Sequence, residues 1–481
     1  DMDTLIDPNR YFNISGKEIF NLVMNISQEN TSIKLSSNLA RTKISSSINE
    51  IKKEATEILK TVVFVENISE PIYKIKNKNI EASINSNGYG FFSFGSAFKE
   101  TIKNTTHNNG LYVYLDLNEI NLNDIFFDSS DSKSTILKSI KLKSGKFNFL
   151  NNTYLNQYFN VSFKDETIIN MVGGSLNGTI NIDKTNFIKV NLNNTKFDFN
   201  GIKLAQSNLQ SDINNLSLRF IGKNIRTKDN LIQDVDFYLL KNKNILTIDC
   251  ININSSRLKI GPNKDNQKAY ISYNSNLDLF KIKGKYRLDN SSGYFNNLSK
   301  YRFNFFQTDL NIQWNSLNYL LNLEGKLDFL IKDLNLDTEI PESTFLRALR
   351  ILNLNAIVEG LDDASDDIVN INRASGRIIL GKKRAFIEYP IVFETDEASL
   401  KWVGEVLKNQ KGELDNLNLD LSLRLKISEN IPWYAAIFGG IPAIAGGMVF
   451  ENIFEDTIED ISTINFKVQG TIDEPKIKRL N

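Results

Sequence analysis

The chain carries one cysteine, one histidine and eight prolines in 481 residues, and its 57 lysines and arginines are balanced by 57 aspartates and glutamates. Each scarcity removes a class of function. The lone cysteine, Cys250, forms no internal disulfide and has no thiol partner for a metal site. It lies in "LTIDCININ" and reads as a small buried residue of a strand. The lone histidine, His107, in the polar loop "NTTHNNG", rules out a His-based triad or a multi-histidine metal centre and reads as an exposed loop residue. Zero formal charge leaves no basic excess for phosphates, so nucleic acid is not an expected partner. Gly-rich phosphate loops of either common pattern are absent. No cofactor, metal or catalytic residue is expected.

What is abundant is alternation. In "GLYVYLDLNEINL", Leu111, Val113, Leu115 and Leu117 share one face; in "FIKVNL", Ile188, Val190 and Leu192 do the same. Leu321, Leu323, Gly325, Leu327, Phe329 and Ile331 oppose Asn322, Glu324, Lys326 and Asp328. The clearest case is Leu417, Leu419, Leu421, Leu423, Leu425 and Ile427 against Asn418, Asp420, Ser422, Arg424 and Lys426. Strands with one dry and one wet face are typical of antiparallel sheet. Turn signals such as "NSNG", "GPNKDN" and "DNSSGY" separate them. A loose internal repeat relates the region around "SIKLKSGKFNF" to that around "SLRFIGKNIRT".

Helical periodicity is confined to three places. Ile44, Ile48, Ile51, Ala55, Ile58 and Leu59 fit an amphipathic helix, and "STFLRALRILNL" puts Phe345, Leu349 and Leu352 on one face. The third is "IPWYAAIFGGIPAIAGGMVF", residues 431–450, twenty residues without a charge. At ~1.5 Å per residue it is long enough to cross a bilayer core. Pro432, Pro442 and four glycines argue against one straight helix, and acidic flanks without a basic anchor argue against spanning. Two short helices at a membrane surface or in a groove fit better. The acidic run "LDDASDD" lacks the ordered spacing and central glycine of a calcium loop and reads as a solvated turn. The chain begins "DMDTLIDPNRYF", with no initiator Met, basic region or apolar leader, and is read as the C-terminal part of a longer protein.

"LRILNLNAIVEGL", "INRASGRI", the apolar segment, and the closing strand with Val468, Gly470, Asp473 and Pro475 occur in an order that resembles AsmA-like bacterial envelope proteins of the YhdP branch. The likeness is fullest from Ser343 to Leu480 and weaker but collinear from about Ser36. The resemblance implies a mainly β fold, in which a long twisted antiparallel sheet curls into an elongated apolar groove. A few short helices and an apolar helical segment near the C-terminus complete it. The divisions expected are a β groove with loose repeats over 1–340, a C-terminal β region over 341–430, the apolar segment over 431–456, and a closing strand and tail over 457–481.

The function implied is bridge-like lipid transport. Such a protein is anchored in the inner membrane of a Gram-negative cell, spans the periplasm, and moves phospholipid toward the outer membrane. The partners implied are phospholipids, both membranes and other envelope proteins. The expected groove lining is Val113, Leu321, Leu323, Leu327, Phe329, Leu417, Leu419, Leu421, Leu423 and Leu425. Lipid or membrane contact is expected at Trp433, Tyr434, Ile437, Phe438, Ile441, Ile444, Met448, Val449, Phe450 and Phe454. The rivals are a structural or assembly factor of the envelope and an envelope polysaccharide hydrolase, which needs convergent carboxylates.

Overall fold

Alternating segments become strands almost wherever they occur. A computed structural model describes residues 12–27, 31–46, 49–67, 69–121, 136–149, 152–197, 215–227, 231–263, 266–290, 301–316, 321–336, 369–395, 398–425, 463–472 and 474–480. The fold is mainly β, with a large mixed sheet and almost no helix among these residues. It comprises two compact units, Asp1–Ser211 with Ile221–Lys228, and Asp212–Phe220 with Asp229–Asn481. The boundaries expected at 340, 430 and 456 fall outside the described residues.

The first unit opens with β1 (Phe12–Gly16), β2 (Asn21–Ile26), β3 (Thr31–Ser37) and β4 (Thr42–Ser46); β1 and β4 form a small separate ladder. Then follow β5 (Thr61–Glu66), β6 (Ile72–Lys76), β7 (Ile80–Asn85) and β8 (Gly90–Phe94), and a one-turn helix α1 (Lys99–Lys103). Next come β9 (Leu111–Asn121), β10 (Leu137–Phe149), β11 (Asn152–Phe163), β12 (Thr167–Val172), β13 (Gly178–Ile182) and β14 (Ile188–Asn193). Neighbours in this order pair from β2 through β3 and β5 to β14. The sheet is not purely antiparallel as expected, because β9 runs parallel to both β8 and β10. The connections on either side of β9 are long enough for the crossover that parallel neighbours require.

β15 (Asn215–Arg226) contributes residues to both units. The second unit continues with β16 (Leu231–Asn242), β17 (Ile245–Ser255), β18 (Leu258–Gly261), β19 (Tyr270–Asn274), β20 (Leu279–Asp289), β21 (Tyr301–Arg302) and β22 (Phe305–Asn315). It ends with β23 (Leu321–Leu336), β24 (Val369–Leu380), β25 (Arg384–Glu394), β26 (Ala398–Lys408), β27 (Leu414–Leu425), β28 (Thr463–Thr471) and β29 (Pro475–Leu480). β18 and β19 act as one interrupted strand between β17 and β20. From β22 to β29 each strand pairs antiparallel with the next.

Among the described residues of the span 44–59 the expected helix is absent. Ile44 lies in β4, only Asn49–Ile51 make a 3-10 turn, and Lys53 and Ile44 exchange backbone hydrogen bonds at 2.9 Å. β-branched Thr42 and Ile44 favour extended backbone, and Ser45 and Ser46 are poor helix formers. The buried Lys53 ammonium then fixes the bend by donating to Thr42 O at 2.7 Å and Glu54 O at 2.9 Å. The helix expected over 343–354 and the apolar segment over 431–450 lie outside the described residues.

Candidate functional site

The period-two pattern acquires meaning through register. In the first unit one rung runs Leu22, Leu35, Val63, Ile75, Ala82 and Phe92 across β2 to β8. It continues through Val113, Ile140, Val161, Ile169 and Ile180 to Val190 on β14. Every member is apolar, so each strand turns its dry face to the same side. At ~4.8 Å per strand, eleven steps give a floor about 53 Å long, perpendicular to the strands. The adjacent positions, among them Lys34, Lys74, Lys141, Asn160 and Asn191, face the other way.

The second unit repeats the device. A rung passes from Leu239 through Ile248, Ile271, Ile282 and Ile312 to Gly325. It goes on through Leu380, Ala385, Val406 and Leu417 to Gly470 without a charged side chain. Across β19, β20 and β22 the aromatic rings of Tyr273, Phe280 and Trp314 stack with centroids 4.3 and 5.5 Å apart. The glycines let strand backbones approach closely. At Gly325, with φ of +131°, a Cβ would stand 2.0 Å from the Asn311 carbonyl oxygen.

Charge is kept on the opposite face. Arg377 grips Asp328 through Nε and Nη2, reaches Glu388 at 3.1 Å, and lies 4.2 Å over the Tyr389 ring. The Asp328 carboxylate raises the Arg377 pKa further above its ordinary value. Lys467–Asp420 at 2.8 Å and Arg219–Asp236 at 2.8 Å extend the pattern. Lys408 is drawn inward to donate to Leu323 O at 2.6 Å, and burial lowers its pKa.

The floor is not equally open. On β2 and β6, Leu22, Met24, Ile26 and Ile75 are exposed, Leu22 by 60% and Ile26 by 75%. In the second unit, Leu417, Leu419, Leu421 and Leu423 are buried in a cluster with Trp402, Ile391 and Phe466, Trp402 being 1% exposed. Leu323 is buried with Leu380 and Ala385, while Val113, Leu321, Leu327 and Phe329 are half-buried. Leu425 pairs in register with Ala398. The expected lipid-contact residues, Trp433, Tyr434, Ile437, Phe438, Ile441, Ile444, Met448, Val449, Phe450 and Phe454, lie outside the described residues, as does the acidic run.

Two expectations about single residues are corrected. His107 is half-buried in an aromatic cluster, 5.0 Å from Phe91 and 5.1 Å from Tyr112 between ring centroids, with Nε2 3.1 Å from the Tyr114 hydroxyl. Burial lowers its pKa. The turn before β9 folds back over the strand's aromatic residues, which the polar loop sequence does not announce. Cys250 is only half-buried; it has φ of +53° where the β16–β17 register shifts, and its backbone N–H donates to Asp249 Oδ1 at 2.8 Å.

Among the described residues no group of three or more metal-binding side chains converges, and no helix is long and apolar enough to cross a membrane. No known protein-family model matches this chain, and neither does any curated protein sequence. The paired apolar rungs are therefore the candidate site. Sequence reasoning found its strands in part but missed Leu22 and Ile75. Their β-branched or leucine alternation, in runs of five or six residues, was the available signal.

Proposed function

We propose that the uncharged floor holds lipid acyl chains and that the protein conducts phospholipid across the periplasm, from the inner membrane toward the outer membrane. The observation that carries this reading is the unbroken apolar rung of the first unit, exposed at Leu22 and Ile75. Exposed apolar floor on a folded protein calls for a cover. An acyl chain is a suitable one, since each buried methylene contributes ~0.8 kcal/mol and no rung residue offers a polar handle that would fix its position. Headgroups stay in water at the edge of the sheet while tails slide. The resemblance to AsmA-like envelope proteins supports the same cargo, an inner-membrane anchor, and other envelope proteins as partners.

The test is phospholipid transfer between vesicles. A carboxylate on the floor forfeits contact with about three methylenes, some 2 kcal/mol, so Leu22→Glu and Ile75→Glu should slow transfer roughly 30-fold. Asn160→Glu and Val172→Glu, exposed on the opposite face, should leave it unchanged. Equal losses from both sets, with folding intact, would sink the reading. A structural role without conduction is favoured by one observation, the closed packing around Trp402, Leu419 and Val468. That role predicts no dependence on the exposed floor.

A further inference from the structure

The densest exposed apolar stretch of the described chain is not in the middle of the floor but at its start. Ile19, Phe20, Leu22, Val23, Met24 and Ile26 are all exposed, the last by 75%. Every residue of β2 is open to solvent, and among the described residues β2 pairs only with β3. A strand with one free edge normally carries guards against pairing with another chain, such as lysine, proline or a bulge. β29, which pairs with β28, shows them: Pro475 begins it, and Lys476, Lys478 and Arg479 stand exposed along it. β2, "NLVMNI", has no charge, no proline and no register shift against β3.

β2 is also complementary to itself. In an antiparallel pair centred on Met24, Leu22 of one copy faces Ile26 of the other, and Val23 faces Asn25. Both copies then present Leu22, Met24 and Ile26 on one side, so floor meets floor and the opposite face meets its own kind. With no charge on the strand there is no like-charge repulsion to oppose the contact. We propose that β2 is a self-association edge, where a second copy of this chain adds its own β2 antiparallel and continues the apolar floor across the two-fold axis. The proposal stands on edge chemistry and does not depend on what the floor carries. Six residues per copy bury less than the ~1,000 Å² of a standing interface, so a weak, concentration-dependent dimer is expected.

Sedimentation velocity over roughly 5 to 300 μM measures it, within the concentration range suited to a weak contact. The full chain should pass from monomer to dimer, Met24→Lys should remain monomeric, and Val172→Lys, at an exposed apolar site elsewhere, should dimerise like the parent. Register is read by oxidation in a Cys250→Ser background. Paired Cα atoms across the axis lie ~4.5–5.5 Å apart, within disulfide reach, so Met24→Cys should cross-link at least about tenfold faster than Ile26→Cys. A monomer at every concentration, a dimer indifferent to Met24→Lys, or equal cross-linking at the two positions would overturn the proposal.

Discussion

Replacing Gly325 by alanine is the sharpest perturbation of the sheet. Gly325 sits in the long rung between Ile312 and Leu380, at φ of +131°, a region closed to side-chain-bearing residues. The added Cβ would meet Asn311 O at 2.0 Å, Asn311 C at 2.9 Å and Ile312 Cα at 2.9 Å. All three are backbone atoms of the paired strand β22, so no side chain can swing away; the ladder itself must move. Backbone strain of ~1–3 kcal/mol and the displaced ladder together put the cost at about 3 kcal/mol or more. Gly261→Ala, in the same unit, is the control: nothing lies within 4 Å of its Cβ position, and the change should stay within about 0.5 kcal/mol. Trp314 and Trp402 lie in β22 and β26 of the second unit, so their fluorescence follows that unit through urea unfolding. With a slope near 3 kcal/mol per molar, the Gly325→Ala midpoint should fall by about 1 M. A midpoint indistinguishable from the parent would refute the reading of Gly325 as the point where two strand backbones touch.

Two further outcomes follow from the same geometry. Trp402→Ala should cost about 3–5 kcal/mol, because the ring is fully buried, whereas Trp402→Phe should cost much less, because the indole Nε1 finds no hydrogen-bond partner; urea unfolding of the pair separates packing from polarity. Burial lowers the His107 pKa from 6.5, so folding favours the neutral ring. Its contribution is complete above about pH 6.5 and is lost as the pH falls through the lowered folded value. Stability of the parent relative to His107→Asn should therefore decline on going from pH 7.5 to 5, and a flat difference would contradict this.

Strand existence was legible because alternation is a local signal: the runs at 111–117, 321–331 and 417–425 became β9, β23 and β27. Register was not legible, since pairing Leu22 with Leu35 and Ile75 with Ala82 depends on turns and neighbours rather than on either strand alone. The parallel setting of β9 is likewise invisible in "LYVYLDLNEIN". Asn322 and Cys250 illustrate a third limit: both have positive φ, and each interrupts the strict alternation that its sequence suggests. The helix read into 44–59 failed because a helical period can arise by chance where β-branched residues and serines favour another backbone. Burial was the least legible feature. Nothing in Leu421 or Leu22 says that one is 4% and the other 60% exposed, since that difference comes from what packs against each face.

Native mass spectrometry of the purified chain, with extraction and identification of whatever is bound, tests the central claim most directly. A floor that holds acyl chains should retain phospholipid, and Leu22→Glu with Ile75→Glu should reduce the number retained while Val172→Glu does not. A well-folded chain recovered free of lipid, before and after incubation with phospholipid vesicles, would contradict conduction along the floor and leave the sheet with a structural role.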